Sequence, residues 1–128
     1  MIHLDTSMLI DALAGRRRSA RLVARAVQQG ERMGLSTLVL YEWLRGPRTR
    51  SEIADQESLF PADSAAPFGG AEALLAARLY REVPRARHRE LDLGIAACAL
   101  AQGARLWTLN PDDFRNVPGL LLYEPPSD

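Results

Sequence analysis

The feature of this sequence that most constrains its fold is the alternation of short apolar segments with longer amphipathic ones. Four apolar segments have the length of buried strands, and a fifth is weaker: residues 1–5, 33–35, 105–109, 120–123 and 60–62. The stretches between them carry apolar residues at helical spacing. Apolar strands separated by helices are typical of a parallel sheet covered on both faces. The sequence therefore predicts an α/β fold with a short central parallel sheet covered by helices.

Capping residues and glycines mark where the helices begin and end. We predict a helix capped by Thr6 or Ser7 that stops near Gly15, one capped by Ser19 that ends at Gly30, and helices over 38–45, 51–59, 71–82 and 90–102. A turn follows at residues 110–114. There is no repeat or linker, so we expect one domain over residues 1–124 and a polar tail at 125–128.

Composition narrows the classes of function. Acidic and basic residues balance at 16 each, so the net charge does not by itself indicate a nucleic-acid partner. All 16 basic residues are Arg, which excludes chemistry that depends on Lys, such as Schiff-base catalysis. Cys98 cannot form an internal disulfide, and no apolar run approaches the roughly 18 residues of a membrane span. We therefore expect a cytoplasmic protein that does not enter a membrane.

Three acidic residues stand where acids are unusual. Asp5 ends the first apolar segment, and ligands of open α/β sheets bind at the carboxyl ends of strands. Glu42 lies on the side of its helix that carries apolar residues three and four positions earlier. Asp92 lies on the side that carries apolar residues three and four positions later. These positions predict carboxyl groups that are partly buried.

Each acid has an ordinary alternative: Asp5 as a turn or cap residue, Glu42 as a half-exposed partner of Arg45, and Asp92 as a first-turn acid. Together they suggest a metal site, because burying a carboxylate costs several kcal/mol unless something compensates it. A divalent cation would compensate several converging carboxylates at once. An all-oxygen set suits Mg²⁺ or Mn²⁺ rather than zinc, and neither histidine has the spacing of a zinc ligand.

A fourth polar region follows the apolar segment 105–109. It offers the hydroxyl of Thr108, the amide of Asn110 and two acids, Asp112 and Asp113, at the sheet edge where Asp5 is expected. The ordinary interpretation is a strand-to-helix turn, in which Asn, Pro and Asp are common.

These motifs succeed one another in a characteristic order: Leu4-Asp5-Thr6-Ser7, then Glu42 after a Ser-Thr helix start, then Leu91-Asp92-Leu93-Gly94-Ile95, then residues 108–114 followed by Val117-Pro118-Gly119. In order and spacing they resemble the PIN domain, and more closely its small VapC-type toxins. The resemblance covers nearly the whole chain and implies a PIN-like three-layer α/β/α fold.

The resemblance also implies roles for individual residues. Asp5, Glu42 and Asp92 would be the catalytic acids, with Asp5 and Asp92 the firmest metal ligands. Thr6 or Ser7 would assist at Asp5.

Thr108 would support the site by hydrogen bonding. The family's fourth acid corresponds to Asn110 or Asp113, so either the Asn110 amide binds, through water, or Asp113 substitutes. The resemblance further implies a homodimer, and a cognate antitoxin whose segment packs along a groove and blocks the acidic pocket.

The function predicted in this way is a toxin that hydrolyses phosphodiester bonds in RNA as a metal-dependent endoribonuclease. Two groups of arginines, at residues 16–18 and 85–89, are candidates for holding flanking phosphates. A metal-dependent nuclease for single-stranded DNA and a non-catalytic acidic-pocket module are the alternatives. An acid-nucleophile phosphatase is disfavoured because Ser7 stands where such an enzyme needs its second acid.

Overall fold

The computed structural model describes residues 1–126, and its centre is a parallel sheet. The strands are β1 (Ile2–Leu4), β2 (Met33–Gly34) and β3 (Arg105–Trp107), in the spatial order β2-β1-β3. Ile2 pairs with Met33 on one side and with Arg105 on the other, and both pairings are parallel. Parallel strands require crossover connections, and helices supply them here. The predicted α/β architecture, with a short parallel sheet between helical layers, is confirmed.

Within residues 1–126 the α-helices are α1 (Thr6–Leu13), α2 (Ala20–Gln28), α3 (Thr37–Arg45), α4 (Arg50–Leu59), α5 (Gly70–Glu82) and α6 (Glu90–Ala101). Two short 3₁₀ turns lie at Ala62–Ser64 and Pro111–Asp113. The six predicted helices and the turn after residue 109 are therefore confirmed, with ends that shift by one or two residues.

The cap of α1 differs from the prediction. Asp5 is the N-cap residue, although its side chain makes no capping hydrogen bond. Thr6 and Ser7 lie in the first turn of the helix instead. The helix starts one residue early because the chain leaves β1 directly at Asp5, whose backbone N–H still bonds Trp107 of the neighbouring strand.

Two predicted strands were wrong as strands. Phe60 follows the end of α4, and residues 62–64 form a 3₁₀ turn, so no strand forms at 60–62. Instead, Ala66 forms a single parallel bridge to Ser36, just beyond the end of β2. The predicted strand at 120–123 is reduced to one bridge between Leu106 and Leu122. The predicted tail is described only to residue 126, and Ser127 and Asp128 lie outside the described residues.

The core forms where the helices close over the sheet. Its largest fully buried side chains include Trp43, Phe114, Leu4, Met8, Leu9, Leu79, Leu93 and Ile95. Cys98 is buried among alanines, as a small apolar residue would be, and His3 is buried beside Gly34. The second histidine, His88, is exposed. No helix within residues 1–126 has both the length and the apolar content needed to cross a membrane.

α3 and α6 approach each other closely at Gly94. A Cβ atom at this position would stand 2.5 Å from Leu38 Cδ1 and 3.3 Å from the ring of Phe68. The glycine therefore lets α6 lie against α3, and these two helices carry Asp92 and Glu42.

Candidate functional site

The predicted site lies at the edge of the sheet where β1 and β3 end. Asp5 immediately follows β1, and Thr108 immediately follows β3. Because the two strands are parallel and adjacent, their carboxyl ends meet at one edge. The sheet thereby brings together two residues that are 103 positions apart in the sequence.

Asp5 is held there by two hydroxyl groups. Its side chain is buried, and its Oδ2 atom accepts hydrogen bonds from Ser7 Oγ at 2.9 Å and Thr108 Oγ1 at 2.7 Å. Each hydroxyl oxygen in turn accepts a backbone N–H, Leu109 N to Ser7 at 3.1 Å and Asn110 N to Thr108 at 3.0 Å. These bonds direct both hydroxyl protons towards Asp5 and leave its Oδ1 atom without a hydrogen bond within residues 1–126.

Glu42 reaches the site from α3. Ser36 caps this helix by accepting the backbone N–H of Val39, and the buried side chains of Val39 and Trp43 set its rotation. Glu42 is left half-buried on the adjoining side, where its Oε1 accepts from Thr6 Oγ1 at 2.6 Å. Thr6, predicted as a possible assistant of Asp5, therefore contacts Glu42.

The other oxygen of Glu42 faces a cation of its own helix. Arg45 donates to Glu42 Oε2 at 3.3 Å, in an ion pair whose arginine is about half exposed. The ordinary alternative weighed for Glu42 is thus present in the structure. The two interpretations are compatible, because a carboxylate has lone pairs enough for several partners.

Asp92 lies in the first turn of α6 and is half-buried. Its pKa is raised from the ordinary value of 3.8 to about 6, first by burial and then by the negative charges of Asp5 and Asp113, with a smaller contribution from Glu42. The nearby Arg89 guanidinium opposes this rise. These shifts mean that the four carboxyl groups share one electrostatic neighbourhood.

The turn after β3 places Asp113 and Asn110 differently. Both residues are exposed, but the charge of Asp113 is close enough to raise the pKa of Asp92. The backbone carbonyl of Asp113 accepts a hydrogen bond from Arg89, whose guanidinium also reaches Asn116 Oδ1 at 3.5 Å. The side chain of Asn110 makes no hydrogen bond within the described residues, and its backbone N–H is used by Thr108.

The carboxyl groups are neighbours without forming a compact ligand shell. Within residues 1–126 no group of three or more His, Cys, Asp or Glu side chains is arranged so that it could hold a metal ion directly. Hydrogen bonds turn Glu42 towards Thr6 and Arg45, and Oδ2 of Asp5 towards its two hydroxyls. The donors are nevertheless all oxygen atoms, which is the chemistry that Mg²⁺ and Mn²⁺ prefer.

Sequence reasoning missed the part played by Arg89. It had been grouped with the other arginines of its loop, yet it bonds the turn at Asp113 and lies close enough to Asp92 to lower the pKa of that carboxyl. Arg89 precedes Asp92 by three residues, and residues at this spacing lie on the same side of a helix. This spacing was the signal that could have indicated that Arg89 lies near Asp92.

Comparisons with known proteins agree with this architecture. A family model described as the PIN domain matches residues 2–120. The chain is similar to Ribonuclease VapC19 of Mycobacterium tuberculosis. The two sequences are 35% identical over an alignment of 127 residues, and the alignment covers 91% of this chain and 94% of the relative.

Solved structures resemble the fold over nearly its full length. One is a DNA-bound VapBC from Salmonella typhimurium, with a TM-score of 0.75, 21% identity, and coverage of 95% of this chain and 96% of that one. Another is VapBC-5 from Mycobacterium tuberculosis, with a TM-score of 0.61, 25% identity, and coverage of 94% and 97%. The family resemblance of the sequence motifs is therefore confirmed, and the chain belongs to the PIN-domain family, among relatives of the VapC type.

Proposed function

We propose that this chain is a divalent-metal-dependent endoribonuclease, the toxin of a toxin–antitoxin pair, and that Asp5, Glu42 and Asp92 carry its activity. Family membership and the similarity to a relative named as a ribonuclease support the reaction class. The observation that carries the proposal is electrostatic. Burial, and after it the negative charges of Asp5, Asp113 and Glu42, raises the pKa of Asp92 to about 6.

Such a cluster is costly unless a cation balances it. The free Oδ1 of Asp5, the carboxyl of Asp92 and that of Glu42 would hold Mg²⁺ or Mn²⁺, with Asp113 as the fourth acid. Glu42 would have to leave its present partners, because it bonds Thr6 and Arg45. Asp113 is preferred to Asn110 because its charge already reaches Asp92. When bound, the ion would lower the pKa of a water molecule and offset the charge of the phosphate.

The residues of the chain position the reacting groups. Ser7 and Thr108 fix the Asp5 carboxylate in one orientation, so that its second oxygen points out of the network. Glu42, released from Thr6, would orient the attacking water and accept its proton. Asp92 would need to be ionised to bind the cation, and so activity should rise with pH through the range around 6 until it is fully charged.

The names of the similar structures support a protein partner. Several of them are complexes named VapBC or toxin–antitoxin complexes. We therefore propose that a cognate antitoxin binds this chain and covers the acidic pocket, and that the chain forms a homodimer in the cytoplasm.

The direct test is cleavage of RNA by the purified protein with its antitoxin removed. We expect cleavage in Mg²⁺ or Mn²⁺, none in EDTA, and none by Asp5→Asn or Asp92→Asn. The matched control is Asp63→Asn, since Asp63 is an exposed carboxyl in the turn Ala62–Ser64 and has no side-chain partner in the described residues. Full activity in EDTA, or in either pocket variant, would reject the mechanism. Cleavage of single-stranded DNA in preference to RNA would indicate the alternative nuclease.

A further inference from the structure

We propose that the loop between α5 and α6, residues 84–89 and here called the basic loop, binds the phosphate backbone of the RNA beside the acidic pocket. The contacts would come from Arg85, Arg87 and His88, while Arg89 holds the loop in place. This inference rests on the proposed function and adds to it the element that binds the substrate.

Two arginines of the basic loop have no acidic partner within the described residues. Arg85 and Arg87 are exposed, and within the described residues neither side chain has a hydrogen bond or an ion pair. Neither acid next to the loop forms an ion pair with Arg85 or Arg87 within the described residues. Glu82 pairs with Arg78 at 3.8 Å, and Glu90 accepts the backbone N–H of His88 at 3.4 Å. The loop therefore presents positive charge that the protein itself does not neutralise, as a phosphate-binding surface does.

Two residues of the basic loop have a strained backbone conformation. Seven described residues have a positive φ, and four of them are glycines. The other three are all basic: Arg17 at 52°, Arg85 at 58° and His88 at 69°. A residue with a side chain is strained in this region by about 1–2 kcal/mol, and glycine would relieve the strain.

Of these three strained residues, only one has a side-chain partner within the described residues that would hold it in this conformation. Arg17 forms an ion pair with Asp55 at 2.6 Å. The side chains of Arg85 and His88 contact no such partner in residues 1–126. Strain without an internal reason is a feature of binding and active sites. The loop thus keeps an arginine and a histidine at positions where glycine would fold more easily.

The basic loop is attached to the turn that borders the acidic pocket. Arg89 ends the loop as the N-cap residue of α6, three residues before Asp92. Its guanidinium bonds the carbonyl of Asp113 and reaches Asn116, so the loop is fastened to the turn that borders the pocket. A polynucleotide that enters an acidic pocket is repelled by it, and cations at the margin offset that repulsion.

The other arginine group lies elsewhere. α1 starts at the pocket and its eight residues extend about 12 Å from it, so residues 16–18 lie beyond its far end. Arg17 is also used by Asp55. Residues 16–18 therefore serve as the matched control, because removing two arginines there changes net charge equally.

The experiment measures RNA binding in an Asp92→Asn background, which we expect to be inactive. The test variant is Arg85→Asn with Arg87→Ser, since Asn tolerates a positive φ. The control is Arg16→Ser with Arg18→Ser. The probe is a fluorescein-labelled 12-nucleotide single-stranded RNA of mixed sequence, and anisotropy is recorded from 50 to 300 mM KCl.

Each phosphate contact to a single strand contributes about 0.7 to the slope of log affinity against log salt, or about fivefold in affinity at 0.1 M. We expect the test variant, which lacks two contacts, to bind about 25-fold more weakly at 0.1 M, with a slope smaller by about 1.4. The control should stay within about twofold of its parent, and thermal unfolding should show that both variants are folded.

Three results would overturn the inference: unchanged affinity in the test variant, an equal loss in the control, or competition by polyglutamate as effective as that by unlabelled RNA. The last would indicate that the loop docks an acidic protein segment. Failure of the proposed function gives a different result, because the chain with an intact pocket would then cleave no RNA in Mg²⁺ or Mn²⁺. If that chain cleaves RNA, the loop variant should raise KM and leave kcat unchanged.

Discussion

The replacement Asp92→Asn should make the protein more stable at neutral pH while it abolishes activity. At pH 7 the folded protein holds a charged Asp92 in a partly buried place beside three other carboxyl groups, and the unfolded chain does not. A pKa that is higher in the folded state means that folding favours the protonated form. The carboxylate of Asp92 therefore lowers the free energy of unfolding once it ionises, and an amide of the same shape removes this penalty.

The size of the effect follows from the pKa. A rise from 3.8 to about 6 corresponds to at most about 3 kcal/mol, at about 1.4 kcal/mol for each pKa unit. Because Asp92 is only half-buried, solvent screening reduces this penalty to about 1–2 kcal/mol. Below the unfolded value of 3.8 the group is protonated in both states and the penalty vanishes. It grows as the pH rises from about 4 and is complete above about 6. The free energy of unfolding of Asp92→Asn should thus exceed that of the parent by about 1–2 kcal/mol at pH 7 and by almost nothing near pH 3.5.

Urea unfolding in EDTA at pH 3.5, 5 and 7 would measure this difference. Asp63→Asn is the matched control, because it changes an exposed carboxyl in the same way. Millimolar Mn²⁺ at pH 7 should narrow or reverse the difference, since a ligand stabilises the form that binds it. Equal stabilities at pH 7, or a difference that does not shrink towards low pH, would refute the reasoning.

Two further substitutions test the supports of the pocket. Thr108→Val removes a hydrogen-bond donor to the buried Asp5 carboxylate. We expect the free energy of unfolding, measured in urea, to fall by about 1–3 kcal/mol, together with a loss of RNA cleavage. Unchanged stability and activity would contradict the role of this bond. Gly94→Ala places a methyl group 2.5 Å from Leu38 Cδ1, and we expect the free energy of unfolding to fall by about 1–3 kcal/mol. Gly70→Ala, where nothing lies within 4 Å, should leave stability nearly unchanged. Equal effects of the two substitutions would show that α3 and α6 separate freely.

The architecture was predictable from the sequence where pattern and length agreed. The buried segment at the N-terminus and the six helices have clear apolar periods and clear ends, and they form as expected. The segment 60–62 looked like a strand because it is short and apolar. It does not form one because Phe60 closes α4 and the chain turns at once through residues 62–64. Single parallel bridges such as Ser36 to Ala66 depend on partners far along the chain, and local pattern does not report them.

The candidate site was predictable as a set of residues and less so as a set of contacts. The acids could be recognised because Asp5 ends an apolar segment, and Glu42 and Asp92 each lie on the side of a helix that carries apolar residues. Which hydroxyl serves which acid depends on helix rotation. Ser7 faces Asp5 and Thr108, while Thr6, one residue earlier, points to α3 and bonds Glu42. The bonds made by Arg89 depend on the fold of the turn at Pro111–Asp113, which follows it by more than 20 residues.

If the carboxyl groups of Asp5, Glu42 and Asp92 together bind a divalent cation, calorimetric titration of Mn²⁺ into the protein freed of its antitoxin will detect it. We expect saturable binding at pH 7, loss of that binding in Asp5→Asn, and normal binding in Asp63→Asn. An absence of heat from the unaltered protein, or equal binding by Asp5→Asn, would contradict this expectation.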